Sequence, residues 1–203
     1  MMHNVIDQML LALKADATAS EAIEALQRGE KVVIAVANTM GSLIKELVEE
    51  SGVRPGERLD FSFKDVMLRY LDRTRRYTEK DGYGNPVSKY ITDAELGPEG
   101  LKRFKAAQDV IRKMDFSGLP GSPIDHIIAT LTAAGYRVGE ITGRSAIIDY
   151  SNPELGPIYR TRPAGEKSKG AVVRNIARFN GGTKASPIPE DQRLDVFILN
   201  QSG

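Results

Sequence analysis

Three short clusters of small polar residues have the types and spacing to hold a ligand: Asn38-Thr39, Thr142-Gly143-Arg144 and Asn200-Gln201-Ser202-Gly203. Each follows an apolar, β-rich run, so each sits where a strand ends. Hydroxyls, carboxamides, backbone N–H groups and one guanidinium can bind phosphate oxygens without any acid–base residue. In a parallel sheet the loops after the strands share one edge, and the three clusters are expected to meet there. Small polar residues also follow strands for conformational reasons alone. Three such clusters together point to a phosphate-bearing ligand.

Other chemistries lack their residues. Gly165-Glu-Lys-Ser168 sets a cation beside a hydroxyl but lacks the glycine framework of a phosphate loop. The two histidines, His3 and His126, are too few and too far apart for a metal cluster, and no metal ligand set is expected. Ser122, Asp125 and His126 are too close on one helix to reach a common substrate atom as a triad does. Asp65, Asp72, Asp109 and Asp115 are scattered on helices and read as solvated. No Gly-x-Gly-x-x-Gly follows a strand, which argues against a dinucleotide, and the absence of cysteine excludes thiolate chemistry and disulfides. No catalytic residue is assigned.

The elements that position the clusters follow from periodicity. Ser20 and Glu21 open an amphipathic helix that carries Ile23 and Leu26 and ends near Gly29. Lys31 to Ala37 is a continuous apolar run, read as a strand buried on both faces, and Leu43, Ile44, Leu47 and Val48 mark the helix after it. Residues 52–121 read as a mostly helical insertion. One helix there bears Phe63, Val66, Met67, Tyr70 and Leu71, with Arg69, Arg73 and Arg76 on its other side. A second carries Leu101, Phe104, Ala107, Val110, Ile111 and Met114 inward. Ser122-Pro123 then starts a helix with Ile124, Ile127, Ile128 and Leu131, followed by a strand over 136–141. Residues 146–150 and 158–162 form a small antiparallel excursion. A helix over 167–179 turns Val172, Val173, Ile176 and Phe179 inward, and the terminal strand closes the pattern. Strands alternating with helices give the expected class: an α/β fold with a parallel, doubly wound sheet, one domain over 1–203 carrying the insertion.

Composition is that of an ordinary globular chain, with 41% hydrophobic and 27% charged residues. No apolar run approaches the ~20 residues that cross a bilayer, so no membrane partner is expected. Met1 to Gln8 lacks a basic region followed by an apolar one, and a secretory signal is not expected. With no cysteine, this suits a cytoplasmic setting. Charge is uneven. Residues 1–60 hold 6 Lys/Arg and 10 Asp/Glu, a net of −4, so the rest carries +5 of the overall +1. Residues 144–178 alone hold seven cations against three acids, which is where a polyanion would sit.

Ile124-Asp-His-Ile-Ile-Ala-Thr-Leu131, Gly139-Glu-Ile-Thr-Gly-Arg144, Asn175-Ile-Ala-Arg-Phe-Asn-Gly-Gly182 and Val196-Phe-Ile-Leu-Asn-Gln-Ser-Gly203 together resemble the carboxyl-terminal RecA-like domain of the strawberry notch helicases, of superfamily two. The resemblance covers residues 30–50 and about 122–203. It implies a RecA-like, P-loop NTPase-type sheet. It also implies that Val32 to Thr39 is motif four and that Asn200 to Gly203 opens motif five, which links nucleic acid to the ATP cleft. On this resemblance Asn38, Thr39, Thr142, Gly143, Arg144, Asn200, Gln201 and Ser202 contact nucleic acid, DNA rather than RNA. Ser202 and Gly203 lie toward nucleotide, and Arg69, Arg73 and Arg76 extend the track. ATP and Mg²⁺ belong to the full-length enzyme, whose amino-terminal RecA-like domain is the expected partner. The phosphate loop, the acidic magnesium motif and motif six are missing here, as if the chain stopped near motif five, so the chain alone is expected to bind neither cofactor and to be inactive as an ATPase. The alternative is a non-enzymatic nucleic-acid-binding or protein-docking module that works through the 52–121 insertion.

Overall fold

The computed structural model describes residues 2–200, with side chains from Ile6 onward. The chain divides into two compact units: Asp7–Phe61 with Ser122–Gly203, and Met1–Ile6 with Ser62–Gly121.

In the larger unit three strands run parallel: β1 (Val32–Val36), β4 (Val138–Ile141) and β7 (Val196–Asn200), in the order β1-β7-β4. The register sets Val36 opposite Asn200 and Ile141 opposite Leu199. All three therefore finish along the same edge. One face of the sheet is closed by α1 (Met2–Gln27) and α5 (Pro123–Ala133), where Ala15, Ala22, Ile124, Ile127 and Leu131 pack with Ile34, Val36, Val196 and Ile198. Neighbouring residues on a strand point to opposite faces. Phe197 accordingly turns the other way, to meet Phe179 of α6 (Lys169–Asn180) with ring centroids 5.5 Å apart. Ser168 caps α6 by accepting a hydrogen bond from the Ala171 N–H.

Four expectations change. The strand β1 is buried on one face only: Val33 and Ala35 are exposed, because α6 packs at the β4–β7 end of the sheet and β1 is its outer strand. The helix α1 begins long before Ser20, since Leu11 to Ala19 is rich in strong helix formers, and ends just before Gly29, whose φ is +80°. Val173 and Ile176 are exposed rather than inward, as are Val110 and Met114 in the smaller unit. The fourth concerns that unit's secondary structure, which is not all helical.

Between α3 (Phe63–Arg73) and α4 (Asp93–Lys113) of the smaller unit stands an antiparallel hairpin, β2 (Arg76–Lys80) with β3 (Pro86–Tyr90). Arg76 thus lies on a strand and not on the helix of Arg69 and Arg73. No hydrophobic alternation announces the hairpin, because all ten of its strand residues are exposed. Beneath it Phe63 and Phe116 pack at 5.8 Å, with Val66, Tyr70 and Ile111 buried. Back in the larger unit, β5 (Ala146–Asp149) and β6 (Ile158–Thr161) pair antiparallel over the segments expected to do so.

Candidate functional site

The rim formed by the ends of β1, β4 and β7 begins with strand β1 and its loop. Asn38 and Thr39 are half-buried, and the Asn38 Oδ1 accepts a hydrogen bond from the Met40 N–H at 2.9 Å. That bond belongs to a strained turn: Met40 has a φ of 55°, unusual for a residue with a side chain, and is held there by burial of that side chain. The helix α2 (Gly41–Ser51) starts at the next residue without a side-chain cap on its first amides. Such a helix start carries free N–H donors and a partial positive charge.

The loop after β4 meets this helix start directly. A Cβ built on Gly41 would lie 2.6 Å from the Cβ of Arg144 and 3.5 Å from the Thr39 Oγ1. Only a residue without a side chain permits that approach. Gly143, by contrast, is exposed with open space where a side chain would go.

Arg144 itself turns inward. Its side chain is 0% exposed, and its guanidinium bridges two carboxylates. Nε and Nη2 donate to Glu140 at 2.7 and 2.8 Å, and Nη2 lies 2.7 Å from Asp125 Oδ1. Asp125 is fixed in turn by the Ser122 hydroxyl at 2.5 Å and the Ile148 N–H at 2.8 Å. Glu140 also accepts from the Thr142 hydroxyl and, at 3.1 Å, from Arg162 Nη1. Burial opposes charge on both partners, and pairing overcomes it: the Glu140 carboxyl is held below its ordinary range, and the Arg144 guanidinium is raised above its own. Burial also pushes the nearby Tyr150 hydroxyl up to about 12, while that oxygen accepts from the Ser122 N–H.

The side chains of Thr142 and Arg144, expected to face a ligand, therefore serve Glu140 and Asp125 instead. The reason is electrostatic: two carboxylates this deep need cations, and Arg144 reaches both of them while Arg162 reaches Glu140. One donor of Arg144, Nη1, is buried without a hydrogen-bond partner among the described residues. Asn200 ends β7 beside Val36, whereas Gln201, Ser202 and Gly203 lie outside the described residues.

Behind the rim a groove of about 970 Å³ is walled by α5, β4, β5 and α6, and Arg160, Arg162, Arg174 and Arg178 line it. The arginines of the cation-rich stretch thus line one cleft, and its lysines, Lys167 and Lys169, do not. Of the cleft's carboxylates, Asp125 and Glu140 are engaged as above, Asp149 by Arg160 at 2.6 Å, and the exposed Glu166 lies 3.9 Å from Arg162. Sequence reading gave no role to Asp125, weighed only in a dismissed triad, or to Glu140, quoted only within the segment that ends at Arg144. The four-residue spacing of Glu140 and Arg144 across a strand end was the available signal. His126 pairs with Asp16 at 2.6 Å and packs edge-on against Tyr150, a structural use.

No protein-family model, no curated protein and no solved structure matches this chain. Among the described residues, no group of three His, Cys, Asp or Glu could hold a metal ion. No helix among them is long and apolar enough to cross a membrane.

Proposed function

We propose that this chain is the second RecA-like motor domain of an ATP-dependent DNA helicase or translocase of the strawberry notch type, and that its sheet rim grips the nucleic-acid backbone. The observation that carries the reading is the common ending of β1, β4 and β7, with Gly41 seated against Arg144. Open α/β sheets bind their ligands at that edge.

On this reading the contacts divide by exposure. Asn38, Thr39, the first amides of α2 and the uncluttered backbone at Gly143 meet phosphate oxygens, and Asn200 completes the row among the described residues. Arg144 is a positioning residue: it ties Asp125 of α5 to Glu140 of β4 and so fixes the loop after β4 against that helix. ATP and Mg²⁺ enter through the family resemblance. The described residues offer no group of three His, Asp or Glu for Mg²⁺, and Asp125 and Glu140 are committed to arginines. The amino-terminal motor domain would bring the nucleotide chemistry, and a cytoplasmic setting follows from the DNA partner.

Titrating a labelled single strand and a duplex with the chain at several salt concentrations tests the reading. A logarithm of affinity that falls linearly with the logarithm of salt concentration, and an affinity at least tenfold weaker for Gly143→Glu, support it. Absence of salt-dependent DNA binding overturns it.

A further inference from the structure

The hairpin β2–β3 buries almost nothing, yet it is built to be rigid. Two-stranded hairpins are marginal in water on their own. Here both ends are pinned. At the tip the Asp81 carboxylate accepts from the Tyr83 N–H at 2.9 Å and the Asn85 N–H at 2.8 Å, and the Asp81 backbone pairs with Asn85 and Gly84. At the base Arg75 is 7% exposed, donates to the Ile91 carbonyl at 2.9 and 2.6 Å, and reaches Asp93 at 2.7 Å. Its guanidinium also lies 4.6 Å from the Tyr90 ring centre and 5.1 Å from that of Phe104. The Tyr90 hydroxyl donates to Asp72 of α3 at 2.8 Å.

This fixed arm presents aromatic rings to solvent. Tyr83 stands at the turn with 93% of its surface exposed, and Tyr77 and Val87 are exposed on one face of the ribbon. Lys89 stands on that same face, paired with Glu79, while Arg76 and Lys80 stand on the opposite one, Lys80 next to the turn. Residues 62–121 hold 12 Lys/Arg against 9 Asp/Glu, so the unit carries +3. Rigid exposed rings among cations match a ligand that offers flat apolar faces on a polyanionic backbone. Paired bases hide their faces in the stack; unpaired bases offer them.

We propose that the β2–β3 hairpin is a stacking site for the unpaired bases of single-stranded nucleic acid, with Tyr83 and Tyr77 as the platforms, and Lys80, next to the turn, and Lys89, on the Tyr77 face, toward the phosphates. It shares with the motor-domain reading only the class of ligand, and the two fail separately.

The chain has no tryptophan, so Tyr83→Trp installs a lone indole at the tip. Addition of oligo-dT or oligo-rU to that variant should quench its fluorescence, and a duplex should do so far less. In wild-type background, Tyr83→Ala should weaken single-strand binding by roughly 5- to 150-fold with an unchanged circular dichroism spectrum and melting temperature. Unquenched fluorescence with Tyr83→Ala and Tyr77→Ala binding at wild-type affinity overturns the proposal. If Gly143→Glu abolishes binding in that same case, the rim reading survives alone. If the tyrosine variants lose binding and Gly143→Glu does not, the hairpin stands and the rim reading falls. A change of sedimenting mass on Tyr83→Ala, with DNA affinity intact, makes the arm a self-association surface and overturns the proposal too. A wild-type chain that binds neither oligonucleotide overturns both.

Discussion

Gly41, the first residue of α2, and Arg144, in the loop after β4, are 103 residues apart in sequence, yet a Cβ on the first would sit 2.6 Å from the Cβ of the second. The start of α2 and the end of β4 are in van der Waals contact at a point that admits no side chain. Gly41→Ala must push one loop off the other, which should cost about 1–3 kcal/mol in urea denaturation. Gly143→Ala, one residue from Arg144 but facing open space, should cost far less. Equal effects at the two positions would mean that the contact does not hold.

Removing the cation beneath that contact should be worse. Arg144→Met leaves Asp125 and Glu140 buried with no guanidinium between them, and stability should drop by about 3–5 kcal/mol. Arg144→Lys should recover only part of the loss, because a point charge cannot span both carboxylates with the geometry of a planar fork. Thermal melts of the two variants decide this. A lysine variant as stable as wild type would show that the bridge does not depend on the fork.

The same network sets an acid limit. Glu140 titrates lower in the folded chain than in the unfolded one. Its contribution is therefore complete above the ordinary glutamate range and disappears as pH falls through its lowered folded-state value. Asp195, held down against burial by the Arg137 side chain, behaves likewise. Glu140→Gln should lower the melting temperature at neutral pH and flatten the decline on acidification. Parallel wild-type and Glu140→Gln curves from pH 7 to pH 3 would rule Glu140 out as a source of the acid sensitivity.

Much of the frame was legible because local pattern and global packing agree. The runs Val32–Val36 and Val196–Asn200 are apolar and β-rich with no competing periodicity, and Ser122-Pro123 signals the start of α5 by residue type alone. The hairpin at 76–90 was not legible, since a ribbon exposed on both faces has no hydrophobic alternation to betray it; its order comes from Asp81 and Arg75, through contacts that sequence spacing does not reveal. The rim was anticipated as a place but not in its detail. Arginine after a strand suggests a ligand contact until the depth of Asp125 and Glu140 is known, and that depth depends on helices packed from elsewhere in the chain.

The central claim is that the loops at Thr39 and Gly143 form one nucleic-acid contact. With no native cysteine in the chain, Thr39→Cys, Gly143→Cys and, as an exposed control in the β5–β6 loop, Leu155→Cys each give a single thiol. Maleimide labelling rates with and without saturating single-stranded DNA then report which positions the ligand covers. If the rim grips DNA as proposed, DNA slows labelling at 39 and at 143 by tenfold or more and leaves 155 unchanged. Bound DNA that leaves the rates at 39 and 143 as fast as that at 155 would contradict it.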